Sequence, residues 1–179
     1  LDVGTGNDTI ALTLAMNGVD ISGADTTTVT TITGSAASAN TAYAAVILSD
    51  TTLAAATLNA LNDNTTGAID ASTVTTLTGA ALDANTTFAA GKDGHITNLG
   101  NEAVTLNDTS LATATLNTLN DNTTGAVDAT TLMTITGSAA HVNTAYTAGI
   151  ASEIIGLGNE AVTLDDTTLM AATLNTLDG

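Results

Sequence analysis

The chain has 179 residues and a formal net charge of −17, with Lys92 the single basic side chain against 18 acids. Such a surface cannot neutralise a phosphate backbone, and no apolar run approaches the about 18 residues that a bilayer span requires, so nucleic-acid binding and membrane insertion are excluded. Aromatic residues make up 2% and cysteine, proline and tryptophan are absent, which leaves a thin core of Ala, Val, Leu and Ile without disulfide staples.

The first segment, residues 1–21, opens LDVGTGNDTIALTLAMN. Its Gly4-Thr5-Gly6-Asn7-Asp8-Thr9-Ile10 fits the tail of the calcium-binding nonapeptide G-G-x-G-x-D-x-U-x, with Val3 in place of the first Gly. There the glycines permit a tight turn, and the Asp8 carboxylate with backbone carbonyls supplies hard oxygen ligands. The plain alternative is a Gly-Asn turn between strands.

Residues 22–179 are organised by two phrases that recur with a 58-residue period. The first is Leu48 to Gly67, Leu106 to Gly125 and Leu164 to Gly179, evenly spaced and with the last copy cut short. The second is Asp25 to Ala45, Asp70 to Gly91 and Asp128 to Gly149. Of its inner glycines, Gly79 and Gly137 keep the period, whereas Gly34 and Gly79 stand closer together. The first unit is thus shortened, and what it lacks is the counterpart of Gly91 to Ala103. Variation by deletion marks that piece as a surface loop or connecting strand rather than core.

Both phrases share a grammar, so each 58-residue period divides into related halves of about 29, a usual solenoid module length. Ala103 to Leu106 and Ala126 to Ala129 alternate apolar and polar residues, which predicts short strands. Leu111, Ala112, Leu116 and Leu119, like Ala139, Val142, Ala145 and Tyr146, fall at spacings of three and four, which predicts helices of two or three turns. Thr113, Thr115 and Thr118 oppose the helix on propensity, so it forms only when stacked on neighbours. Asn122 to Gly125 closes the phrase as a turn, with Gly125 free to take positive φ. Val74 to Leu77 and Leu132 to Ile135 space their apolar residues by three, which fits neither a strand nor a long helix.

His95 and His141 do not recur at the period, so no catalytic or metal-histidine site is expected and the chain is read as non-enzymatic. Several acids do recur. Asp50, Asp108 and Asp166 stand just ahead of the predicted helices, where they read as N-caps. If residues one period apart stack in columns, the same carboxylates line up and Ca²⁺ would bridge them, making Asp8, Asp50, Asp108 and Asp166 the candidate metal ligands.

The stretches LNTLNDNTTGAVDATTLMTITGSAAHVNTAY, Leu116 to Tyr146, and GLGNEAVTLDDTTLMAATLNTLDG, Gly156 to Gly179, resemble the repeats of giant cell-surface proteins of marine unicellular cyanobacteria, the class that serves non-flagellar swimming. The segment Gly4 to Ile10 is similar to haemolysin-type calcium motifs. This resemblance implies an extracellular or cell-surface, non-enzymatic scaffold with no catalytic residues to transfer. The expected fold is a repeat solenoid of short parallel β-strands alternating with short helices or turns. The expected role is a structural repeat segment of a bacterial surface protein or self-assembling filament that associates with itself along its axis; the alternative is a calcium-dependent adhesin or ligand-binding module.

Overall fold

The computed structural model describes residues 8–11, 29–34 and 45–178. Of the nonapeptide-like stretch only Asp8, Thr9 and Ile10 fall within the described residues. In chain order the elements are β1 (Asp8–Ala11), β2 (Val29–Gly34), β3 (Ala45–Leu48), β4 (Thr52–Ala54), α1 (Ala55–Asn64), β5 (Ile69–Asp70), β6 (Thr76–Gly79) and α2 (Ala81–Lys92). There follow β7 (Ile96–Thr97), β8 (Ala103–Leu106), β9 (Ser110–Ala112), α3 (Thr113–Asn122), β10 (Val127–Asp128), β11 (Thr134–Gly137), α4 (Ala139–Ile150), β12 (Ile154–Ile155), β13 (Ala161–Leu164) and α5 (Ala171–Asp178). The molecule is α/β, with parallel strands in sheets alternating with helices in a repeating arrangement. No helix among the described residues is long and apolar enough to cross a membrane.

Helix starts at Ala55, Ala81, Thr113, Ala139 and Ala171 alternate a shorter step with a longer one, so the 58-residue period holds two turns of unequal length. The strand registers show where the extra residues go. Val46 pairs with Ile69 and Ile69 with Ile96. Leu53 pairs with Leu77, Leu77 with Val104, Val104 with Val127 and Val127 with Ile154. Leu111 starts a third sheet, pairing through Ile135 to Val162. The strand β8 therefore pairs backward with β6 and forward with β10, while β9 is a new strand inserted ahead of α3.

This corrects the expectation that residues one period apart share a column. The copies β3 and β8 lie in different sheets, because every second turn adds one strand and moves the sequence sideways by one strand position. Val46 and Val104 are equivalent in sequence, yet Val46 is aligned with Ile69 and Ile96, and Val104 with Leu53, Leu77, Val127 and Ile154. Asp50 and Asp108 follow these two strands and so do not stack into an acidic line.

The predicted helices form, with Leu116, Leu119, Val142 and Ala145 wholly buried, but Leu111 and Ala112, read as part of the first helical face, lie in β9 ahead of α3. The helical threonines are accommodated by a local device. Thr86, Thr118, Thr144, Thr147 and Thr176 each donate the hydroxyl to the carbonyl four residues back, which satisfies a group that would otherwise compete with the helix. The stretches with apolar spacing of three resolve as a turn feeding a strand. Asp70 Oδ1 accepts from Ser72 N–H at 3.0 Å, Val74 N–H donates to Ala71, and β6 begins at Thr76. Val74 closes this turn and Leu77 lies in the strand that follows, and both are buried. The core is aliphatic as composition requires, with Phe88 its one buried aromatic among the described residues.

Candidate functional site

The most densely constrained residues lie on the faces where successive strand–helix turns meet. Each of the first three helices carries an Asn at its fifth position that donates to a main-chain carbonyl at the third position of the next helix. Asn59 Nδ2 reaches Asp83 O at 2.9 Å, Asn85 reaches Thr115 O at 3.2 Å, and Asn117 reaches His141 O at 3.0 Å. The shorter and the longer steps are bridged alike, so this amide ladder fixes helix on helix even where a strand has been inserted. Thr87, fully buried, adds a hydroxyl bond of 2.7 Å to Asn59 Oδ1.

Of the Asp residues singled out as helix caps, Asp108 and Asp166 do cap helices, but not the ones that follow them. Ala81 N–H donates to Asp108 Oδ2 at 2.8 Å, and Ala139 N–H to Asp166 Oδ2 at 2.7 Å. The carboxylate of one turn thus sits at the N-terminus of the helix in the turn before it, where exposed N–H groups and the helix dipole favour an anion. The backbone is shaped for this. Gly137 has φ of +149°, and its carbonyl accepts from Asp165 N–H at 3.2 Å; a Cβ there would run into Thr113 Oγ1. The Asp108 loop is also held from the far side, since the Thr131 hydroxyl donates to Asp108 O at 2.8 Å and Leu106 O at 3.2 Å. One loop therefore ties three successive turns together.

Asp50 follows β3 at the same place in its repeat, and Asp8 lies in β1. Among the described residues no group of three or more His, Cys, Asp or Glu side chains is placed to hold a metal ion. Asp108 and Asp166 fit helix caps, each with a carboxylate oxygen engaged by a backbone N–H. His95 and His141 are exposed.

Two further acids lie inside the variable piece, which is less peripheral than its deletion implies. Glu102 is 1% exposed and its repeat counterpart Glu160 is 9% exposed. Glu102 Oε2 accepts from Gly100 N–H at 2.8 Å and Asn101 N–H at 3.2 Å, and its main-chain carbonyl takes the Thr123 hydroxyl at 2.6 Å. Gly125 is needed here for close approach rather than for positive φ, because a Cβ on it would run into Glu102 O. Glu160 receives Gly158 N–H and also the Tyr146 hydroxyl, at 3.3 Å. Burial and the adjacent Glu160 charge push the Tyr146 hydroxyl above its ordinary pKa. In the preceding repeat Phe88 stands where Tyr146 stands, and Glu102 Oε1 is buried without a partner. Asp70 is held below the usual carboxylate range by the Asn98 amide and Ser72 N–H.

The sequence reading missed the asparagine ladder, whose Asn59, Asn117 and Asn175 recur at the same 58-residue distance as the aspartates. Glu102 and Glu160 were legible as recurring acids but not as buried ones. Against family models, curated proteins and solved structures alike, the chain returns no match.

Proposed function

We propose that this chain is a solenoid, a structural and non-catalytic repeat segment of an extracellular or cell-surface protein that acts by length and stiffness. The observation that carries the reading is the concentration of side-chain chemistry on the faces between turns. The Asn ladder and the Asp108 and Asp166 caps join one turn to another, as does the Thr123 hydroxyl on the Glu102 main-chain carbonyl. The charge of −17 suits a saline exterior, where repulsion is screened beyond about 8 Å. It also leaves no cationic surface for nucleic acid.

A solenoid grows along one axis. With strands about 4.8 Å apart, each 58-residue repeat of two turns lengthens the molecule by about 10 Å at constant cross-section. Small-angle X-ray scattering on tandem chains with one, two and three added repeats measures this directly. Equal increments in maximum dimension are expected, and a radius that grows only as a compact globule does would sink the reading.

A further inference from the structure

We propose that the cleft between residues 72–75 and residues 98–101, on two successive turns, is a binding site for the pyranose ring of a neutral saccharide. Its volume of about 530 Å³ lies in the range of small-molecule sites, and Ser72, Thr75, Asn98 and Asn101 line it together with Val74 and Leu99. Such binding is a second role beside the structural one and does not rest on it.

The two repeats differ here by a coupled exchange. One period on, Thr130 replaces Ser72, Met133 replaces Thr75 and Gly156 replaces Asn98. Asn98 and Gly156 both have positive φ, +63° and +89°, so the chain turns with the same hand in each repeat. At Gly156 a Cβ would run into Thr130 Cγ2. A side chain at this position therefore needs a smaller neighbour, which Ser72 provides, and Asn is among the few residues that tolerate the left-handed conformation. Glycine alone would satisfy the turn. What the exchange adds is a carboxamide in a cleft, with the Thr75 hydroxyl where the other repeat has the exposed Met133.

The added carboxamide is held from one side. Asn98 Nδ2 donates to Asp70 Oδ1 at 2.8 Å, and the same oxygen accepts from Ser72 N–H at 3.0 Å. The Asn98 side-chain oxygen and the whole Asn101 carboxamide make no hydrogen bond among the described residues. A carboxamide both donates and accepts, as vicinal sugar hydroxyls do, and fixing one beforehand lowers the entropic cost of binding. Val74 and half-buried Leu99 offer an apolar strip for the C–H face of a pyranose. Other ligand classes fit less well. An anion meets no cationic side chain, since Lys92, the one base in the chain, is engaged by Asn122. A divalent cation needs several hard oxygens. Among the described residues Asp70 is the one acid hydrogen-bonded to a lining side chain, and Glu102 turns an oxygen to Gly100 N–H and Asn101 N–H instead.

Saturation-transfer difference NMR on the full chain tests this, with glucose, galactose, mannose and N-acetylglucosamine as probes, each also as its methyl glycoside. Transfer to at least one of these pyranoses is expected, with millimolar affinity. A preference for the glycoside identifies the end of a glycan as the source, and the reverse a free monosaccharide. Asn101→Ala removes an exposed side chain and should weaken binding severalfold at an unchanged unfolding midpoint. The pair Ser72→Thr/Asn98→Gly installs the residues of the other repeat and should abolish binding with an unchanged far-UV CD spectrum. Asn159→Ala, at the position equivalent to Asn101, should bind like the wild type. No transfer to any of the sugars, binding that survives both cleft variants, or binding that EDTA removes overturns the proposal.

Discussion

Asp108 shows how much one side chain does when its partner lies in another turn. Its Oδ2 accepts from Ala81 N–H in the preceding turn, while α2's own N-cap residue, Ala80, offers no side chain to the helix end. Removing the carboxylate leaves that donor unsatisfied, so D108A should lower stability by about 0.5–2 kcal/mol in denaturant unfolding, and D108N, which keeps an acceptor oxygen, should recover most of it. A second residue-scale test uses pH. Tyr146 is raised mainly by burial and then by the Glu160 charge, so its stabilising contribution is complete below the ordinary tyrosine pKa and is lost as pH rises through the higher folded value. In a Tyr43→Phe background, phenolate absorbance should appear above that ordinary value, and Glu160→Gln should return it only part of the way. Full return would make the glutamate, not burial, the main cause.

At the scale of elements the two repeats carry an internal comparison. The Tyr146–Glu160 pair closes the variable piece in one repeat, while Phe88 leaves Glu102 Oε1 unpartnered in the other. Phe88→Tyr should therefore supply the missing donor and stabilise by about 0.5–1.5 kcal/mol, read as a raised unfolding midpoint at unchanged m-value. A neutral or destabilising result would mean that the hydroxyl cannot reach the carboxylate. The strands and helices themselves were legible, because alternation at Ala103 to Leu106 and three-and-four spacing at Leu116 and Leu119 survive into the fold. Their partners were not. Strands that pair, such as β3 and β5, belong to unlike phrases in successive turns, whereas strands that look alike, such as β3 and β8, never pair. Similarity in this chain marks equivalence of position, and pairing falls between non-equivalent halves. For the same reason the recurring aspartates were legible as caps but not as caps of the preceding helix.

For the molecule as a whole, the lateral shift of one strand per repeat separates like charges that a straight stack would align. Asp108 and Asp166 already have backbone donors, so chelation by EDTA at low salt should leave the melting temperature unchanged; a fall restored by Ca²⁺ would show that a cation holds the fold as well. The unequal turns set a further condition on what can be removed. Excising residues 69–126, one full period, joins Ala68 to Val127 within the same phrase. Val46 then meets Val127 as it met Ile69, and Asn59 faces His141 as Asn117 did. The shortened chain should unfold cooperatively with a smaller m-value, in proportion to the surface removed. Excising residues 69–95, a single turn, removes α2 and brings the Asp108 loop against the start of α1. That helix follows β4 directly, without the Gly79–Ala80 link through which the Gly79 carbonyl meets Asn107 N–H and the Ala81 N–H meets Asp108. The cap and its backbone bond are lost together, so this smaller deletion should destabilise more than the larger one. Equal stability of the two in urea unfolding would show that the single turn, not the full two-turn period, is the interchangeable unit.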